Sequence, residues 1–166
     1  MNHQLREFLK GIEIRTFCVI SLIFILCIVP FLGTSGEIID GMKKIIMSRD
    51  ILITDYIAVG GYGAAFFNAG IMMLIAMLLI AASKLPYTGL TIAAVFISAG
   101  FGLWGKNPLN MLPIIIGTFL YAKVRHVKYM KYTFTSIFAG CLSPFVTEFA
   151  YILPFYMIGF AFFYLA

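Results

Sequence analysis

Five apolar runs, at residues 17–32, 64–82, 88–104, 109–122 and 132–166, occupy most of a chain of 166 residues. A helix that crosses a bilayer needs about 20 mostly apolar residues, with about 17–25 as the working range. The first four runs suit single crossings once their flanks are included. The fifth is too long for one crossing and too short for two, which predicts a break inside it. In hydrocarbon every backbone polar group needs an internal partner. The expected fold is therefore all-α, a polytopic transmembrane helix bundle of about five to six membrane segments, some discontinuous or re-entrant. Composition agrees, at 62% hydrophobic and 11% charged residues with a mean hydropathy of +1.01. Soluble domains carry about 25% charged residues. Nothing is left over for a soluble domain, so 1–166 reads as a single membrane domain.

Arg6, Lys10 and Arg15 ahead of the first run resemble the start of a secretory signal. The basic region is long, however, and Thr34-Ser35-Gly36 is a poor cleavage site, which favours a retained first helix. Cys18, Cys27 and Cys141 all lie in apolar runs, where cysteine behaves as a small hydrophobe. With His3 and His126 near charged flanks, no spacing suggests a metal site or a disulfide framework. The net charge of +5 reads as cytoplasmic loop charge, because no basic, aromatic-bearing surface remains for nucleic acid.

Lys and Arg in short loops mark the cytoplasmic side. The opening basic cluster and Lys123, Arg125, Lys128 and Lys131 would share that side if an even number of crossings separates them, placing the N-terminus inside. Between them, Thr34-Ser35-Gly36-Glu37 has capping-box spacing and predicts a short helix through about Met47. Ile38, Met42, Ile45 and Ile46 form one face of it, which suits either a helix on the outer membrane surface or a packed outer helix. Asn107-Pro108 predicts a helix start. Ser143-Pro144 repeats that chemistry inside the last run, predicting one helix that stops near Leu142 and another that begins at Phe145. Pro154 predicts a further break.

The glycines of Gly60-Gly61-Tyr62-Gly63 weaken a regular helix, and irregular backbone at membrane depth is tolerated only beside protein or a watery cavity. The segment reads as a broken helix or re-entrant segment beside a polar path. Paired breaks near Gly60–Gly63 and Ser143 point to a transporter's binding region. Asp55 is either a path residue or a cap for the helix that follows it. Asn68 is the best amide for solute contact. Asn110 and Tyr121 either line a path or satisfy neighbouring backbone. Glu148, flanked by aromatics, either meets a cation or stays protonated, unless it sits in an outward loop. The stripes Gly61, Ala65, Ala69 and Ala94, Ser98, Gly102 are small-xxx-small faces that serve close helix packing. The glycine string lacks the threonine of a potassium filter and carries an extra glycine.

The phrases Thr54-Asp55-Tyr56-Ile57-Ala58-Val59-Gly60-Gly61-Tyr62-Gly63-Ala64-Ala65-Phe66-Phe67-Asn68-Ala69-Gly70 and Gly105-Lys106-Asn107-Pro108-Leu109-Asn110-Met111-Leu112-Pro113, with Ser143-Pro144 and Glu148, resemble an uncharacterised family of bacterial multi-spanning membrane proteins, domain of unknown function 1576. The resemblance implies a two-halved architecture of which this chain is the first half, similar in plan to transporters built from paired repeats. It brings no activity, and therefore no catalytic residue.

The expected function is a transporter or channel half for a small polar or cationic solute, with its path near Asp55, Gly60, Gly61, Gly63, Asn68, Asn110 and Glu148 and almost no basic group at depth. A proton coupled through Glu148 is one option. Expected partners are the lipid bilayer, a second copy or second half-protein and the solute, with no nucleic acid, cofactor or metal. The expected location is the bacterial cytoplasmic membrane. A non-transporting membrane subunit or assembly factor is the alternative. An intramembrane enzyme finds no H-E-x-x-H, G-x-S-x-G or paired acidic metal motif to support it.

Overall fold

The structure, a computed structural model, describes residues 3–51 and 53–152. Among these residues the chain forms seven α-helices: α1 (His3–Ile28), α2 (Ser35–Met47), α3 (Tyr56–Ala82), α4 (Gly89–Phe101), α5 (Pro108–Val124), α6 (Thr133–Ala139) and α7 (Ser143–Ile152). Short 3-10 turns occupy Val29–Phe31, Tyr129–Lys131 and Gly140–Leu142. The break expected at Pro154 lies outside the described residues.

Among the described residues two helical segments are long and apolar enough to cross a membrane, Leu9–Phe31 with mean hydropathy 2.5 and Tyr56–Ala82 with 2.3. Only 17% of the first is buried against 56% of the second, so α3 is the central helix and α1 lies on the outside. The expectation of four full-length crossings is corrected at α4, which is apolar but has only 13 residues; α5, with 17, stands at the lower edge of the crossing range. At 1.5 Å per residue α4 is about 20 Å long, short of a hydrocarbon core of about 30 Å. It stops because Gly102 caps it and the chain then turns. Lys106 N–H returns to the Phe101 carbonyl at 3.0 Å, and Gly105 adopts φ +94°, a conformation that favours glycine.

The main core joins Cys18 and Leu22 of α1, Met73, Ala76, Met77 and Ile80 of α3, Ala94, Val95 and Ala99 of α4, and Ile137 of α6. The small-residue stripes serve packing here. A Cβ on Gly102 would stand 2.8 Å from the Ala69 Cα, so α3 and α4 approach closely because neither carries bulk at that point. Gly61 departs from its stripe, because it is exposed and holds the helix break.

At α2 the capping box forms as expected. Glu37 Oε2 accepts from Thr34 N–H at 2.7 Å, and Thr34 Oγ1 accepts from Glu37 N–H at 3.4 Å. The Thr34 N–H holds the Glu37 carboxyl below its ordinary value. Of the two readings of this helix, the structure shows the packed one. Ile45 is fully buried with Tyr56, Ala64 and Ala65, and Gly41 lies directly on Gly60.

The break expected in the glycine cluster is present at Gly61, with φ 83° and ψ 166° inside α3. It bends one helix, and the first turn of α3 packs against the α4–α5 connection. Tyr56 N–H donates to the Leu103 carbonyl at 3.2 Å, and Asp55 pairs with Trp104 in an isolated β-bridge. Among the described residues no atom lies within 4 Å of a Cβ built on Gly61, so the expected cost of substitution comes from the backbone. Gly61→Ala is expected to destabilise by about 1–3 kcal/mol, the strain of a conformation essentially restricted to glycine. Gly100→Ala, on an open face of α4 with ordinary helical backbone, is expected to be neutral or to stabilise by up to about 1 kcal/mol. Thermal unfolding in detergent compares the two.

Candidate functional site

Three breaks in the helical backbone meet at one end of the bundle: the α2–α3 connection, the α4–α5 connection and the start of α7. Asn107 caps α5, its Oδ1 accepting from Leu109 N–H at 2.9 Å and Asn110 N–H at 3.0 Å. Asn110 Oδ1 returns the bond by accepting from Asn107 N–H at 2.9 Å. This reciprocal cap spends both oxygens and leaves both NH2 groups to find acceptors elsewhere. Both find Asp50. Its Oδ2 accepts from Asn107 Nδ2 and Asn110 Nδ2, each at 3.1 Å, and from Thr147 Oγ1 at 3.4 Å. Its Oδ1 accepts from Ser48 Oγ at 2.9 Å. Asn107 Nδ2 also donates to the Tyr56 hydroxyl at 2.9 Å, and Asn110 Nδ2 to the Gly105 carbonyl at 2.7 Å.

Beside this cluster, the Gly105 turn sends Lys106 inward. Lys106 is fully buried. Its Nζ donates to Ser98 Oγ at 2.7 Å and lies where a Cβ on Gly140 would meet it at 3.2 Å. Asn68, two turns beyond the Gly61 bend, donates through Nδ2 to the carbonyls of Gly102 (2.6 Å) and Lys106 (2.8 Å). It therefore closes the frayed end of α4. Among the described residues its Oδ1 is buried without a hydrogen-bond partner, as is Ser143 Oγ. Both charged residues belong to connections between helices. Burial pushes the Asp50 carboxyl above its ordinary value, outweighing the bonds from Ser48, Tyr56, Thr147 and Asn110. Burial pulls the Lys106 amine down, against the opposing pull of Cys141.

The structure gathers some of the expected site residues here and sends others elsewhere. Asn68 and Asn110 belong to the buried cluster. Asp55 is exposed and caps α3, its Oδ1 accepting from Ile57 N–H at 2.9 Å and Ala58 N–H at 3.3 Å. Gly60 and Gly63 serve close approach, Gly60 to Gly41 and Ile45, Gly63 to Leu32 and Ile38. With Gly61 they line an open groove of about 600 Å³ that also meets Glu37, Asp40 and Lys44 of α2. Glu148 meets a cation: Arg49 Nη2 and Nε donate to its Oε1 and Oε2 at 2.8 and 3.1 Å. Its side chain is 28% exposed, so Glu148 lies outside the buried cluster. Asp50 and Lys106, each 0% exposed, are deeper. Lys106 adds a buried basic group beside the cluster, which the sequence reading did not expect there.

As site residues, sequence reading passed over Asp50, Lys106 and Tyr56, and it took Ser98 for helix packing. One signal was present. Asn107 and Asn110 at capping-box spacing commit their oxygens to each other's backbone, which leaves two amide donors in need of a buried acceptor.

The family model described as "Protein of unknown function (DUF1576)" matches residues 34–165. The chain belongs to the DUF1576 family. The match takes in the whole polar cluster, from Ser48 to Thr147, together with the Arg49–Glu148 pair. No curated protein and no solved structure matches the chain. The DUF1576 description assigns no activity, so a functional reading rests on the geometry of the cluster.

Proposed function

We propose that this DUF1576 chain is a membrane transporter or channel half for a small polar or cationic solute, and that the Asp50 cluster, with Asn68, Asn110 and Lys106, lines its path. The observation that carries the reading is the burial of a carboxylate and an amine where three helix breaks meet. Charged groups inside membrane bundles are expensive and commonly mark solute or ion pathways, and interrupted helices supply the polar backbone that binding regions use. Asp50 is the group that would meet the cationic part of a solute. In this reading α1 and α3 cross a bacterial cytoplasmic membrane, the shorter helices complete a polytopic bundle, and a second copy or second half-protein covers the interrupted backbone. Exposed apolar side chains such as Phe17, Phe24 and Phe119 suit contact with lipid.

A shared end for the two basic clusters fits an N-terminus inside. A Cβ on Gly11 of α1 would lie 3.8 Å from the Tyr87 carbonyl, and Ser83 bonds Thr133, just past the second cluster, at 2.6 Å. The reading needs no nucleic acid, cofactor or catalytic residue. The non-transporting subunit has an observation of its own, since Asp50 is saturated by internal donors, as a purely structural carboxylate would be.

Flux into proteoliposomes, measured over a panel of small polar and cationic solutes, separates the two. Transport predicts uptake above protein-free vesicles, cut about tenfold or more by Asp50→Asn, which removes a charge from several hydrogen bonds. Leu78→Ala, at an exposed apolar position of α3, should leave uptake unchanged. No uptake of any solute would leave the subunit reading in place, and full uptake by Asp50→Asn would take Asp50 out of the path.

A further inference from the structure

We propose that the Arg49–Glu148 ion pair is the latch of a gate that covers the Asp50 cluster from the side of α2; its purpose rests on the transport reading, although its opening can be measured without transport. Arg49 directly precedes Asp50 in the chain, and Glu148 directly follows Thr147. Two rungs therefore cross one seam between the α2–α3 connection and α7. The outer rung is the forked Arg49–Glu148 pair, with side chains 56% and 28% exposed. The inner rung is Thr147 donating to Asp50 at 3.4 Å, a long bond to a fully buried carboxylate.

The seam is built to part cheaply. Water replaces an exposed ion pair at little cost, and Asp50 keeps Asn107 and Asn110 when Thr147 leaves. On the other side of the seam, α7 is a helix of 10 residues that packs on α5 and on the Gly140–Leu142 turn. That turn is the covalent joint on which α7 would swing. α7 also meets the α4–α5 side of the cluster, where a Cβ on Gly105 would stand 3.0 Å from the Pro144 ring and Asn110 Nδ2 donates to Thr147 Oγ1 at 3.4 Å. Short elements on a small joint are the usual moving parts of lids and gates. The forked geometry of an arginine and a carboxylate fixes the closed position more firmly than a single bond would.

The test reads accessibility. In the full chain with Cys18, Cys27 and Cys141 replaced by alanine, Thr147→Cys places a thiol on the inner rung, and a charged, membrane-impermeant maleimide measures how fast it is reached in proteoliposomes. Glu148→Gln and, separately, Arg49→Gln are expected to speed labelling about fivefold, the reach of an exposed pair. The exchanged pair Arg49→Glu with Glu148→Arg should restore the slow rate, and Ser35→Cys on exposed α2 should label equally in every background. Unchanged labelling in both single variants overturns the latch. So does acceleration that the exchanged pair fails to reverse, because that signals general loosening. Solute flux recorded on the same vesicles judges the transport reading separately, since labelling can respond while no solute moves.

Discussion

Asn107→Ala is expected to be among the most damaging single substitutions in this chain, costing about 3 kcal/mol or more. The side chain caps two N–H groups of α5, and losing a helix cap costs about 1 kcal/mol. It also donates to the Asp50 carboxylate and the Tyr56 hydroxyl, both fully buried. A buried polar group left without its partner costs about 1–3 kcal/mol, more when it is charged. Asn107→Asp keeps the cap oxygen but sets a second carboxylate against Asp50, so it should rescue little. Thermal or denaturant unfolding in detergent checks both, with Asn2→Ala, remote in sequence from every break, as the reference. Stability within 1 kcal/mol of wild type for Asn107→Ala, the size of the cap alone, would show that the Asp50 cluster contributes nothing to the fold.

Gly41→Leu is expected to undock α2 from α3. A Cβ at position 41 already collides with the Gly60 carbonyl and stands 2.5 Å from the Ala64 Cβ. The backbone on both sides leaves no flexible side chain to move aside. Overpacking a tight contact costs about 1–3 kcal/mol, occasionally more, and a leucine on backbone belongs at the top of that range. Gly36→Ala on the same helix meets nothing within 4 Å and should be neutral or slightly stabilising. Hydrogen exchange across α2 reads the difference directly. Fast exchange in Gly41→Leu and slow exchange in Gly36→Ala is the expected result. Equal protection in the two would mean that the α2–α3 contact is not what holds α2 in place.

Local signals carried much of the fold. The Thr34–Glu37 box, the Asn107-Pro108 start and the interruption ahead of Pro144 all appear in the structure, although α7 begins at Ser143 instead of Phe145. The Gly61 break was legible because glycine density reports on backbone freedom wherever the chain goes. The length of α4 was not. Its apolar run continues to Trp104, and composition gives no reason to stop at Phe101. The stop depends on Asn68, far away in sequence, capturing the carbonyls of Gly102 and Lys106.

The candidate site divides along the same line. Asn68 and Asn110 could be picked out as amides in apolar surroundings, and Asp55 as one of two things, a cap or a path residue. Nothing local separates an exposed carboxylate that caps a helix from a buried one that collects four side chains, so Asp55 drew attention that Asp50, five residues earlier, deserved. Nothing local marks Lys106 as buried, because its neighbours are loop residues. The sequence by itself determined which segments are helical, where they start and break, and that the chain is too apolar for an ordinary soluble domain, because capping, glycine and proline chemistry and hydropathy act over a few residues. Only the tertiary structure decided which charges are buried and which are paired across the chain, because burial and partnership depend on which helix ends meet in space, and Asp50, Lys106, Arg49 and Glu148 acquire their partners from segments that are distant along the chain or turned inward by a single glycine.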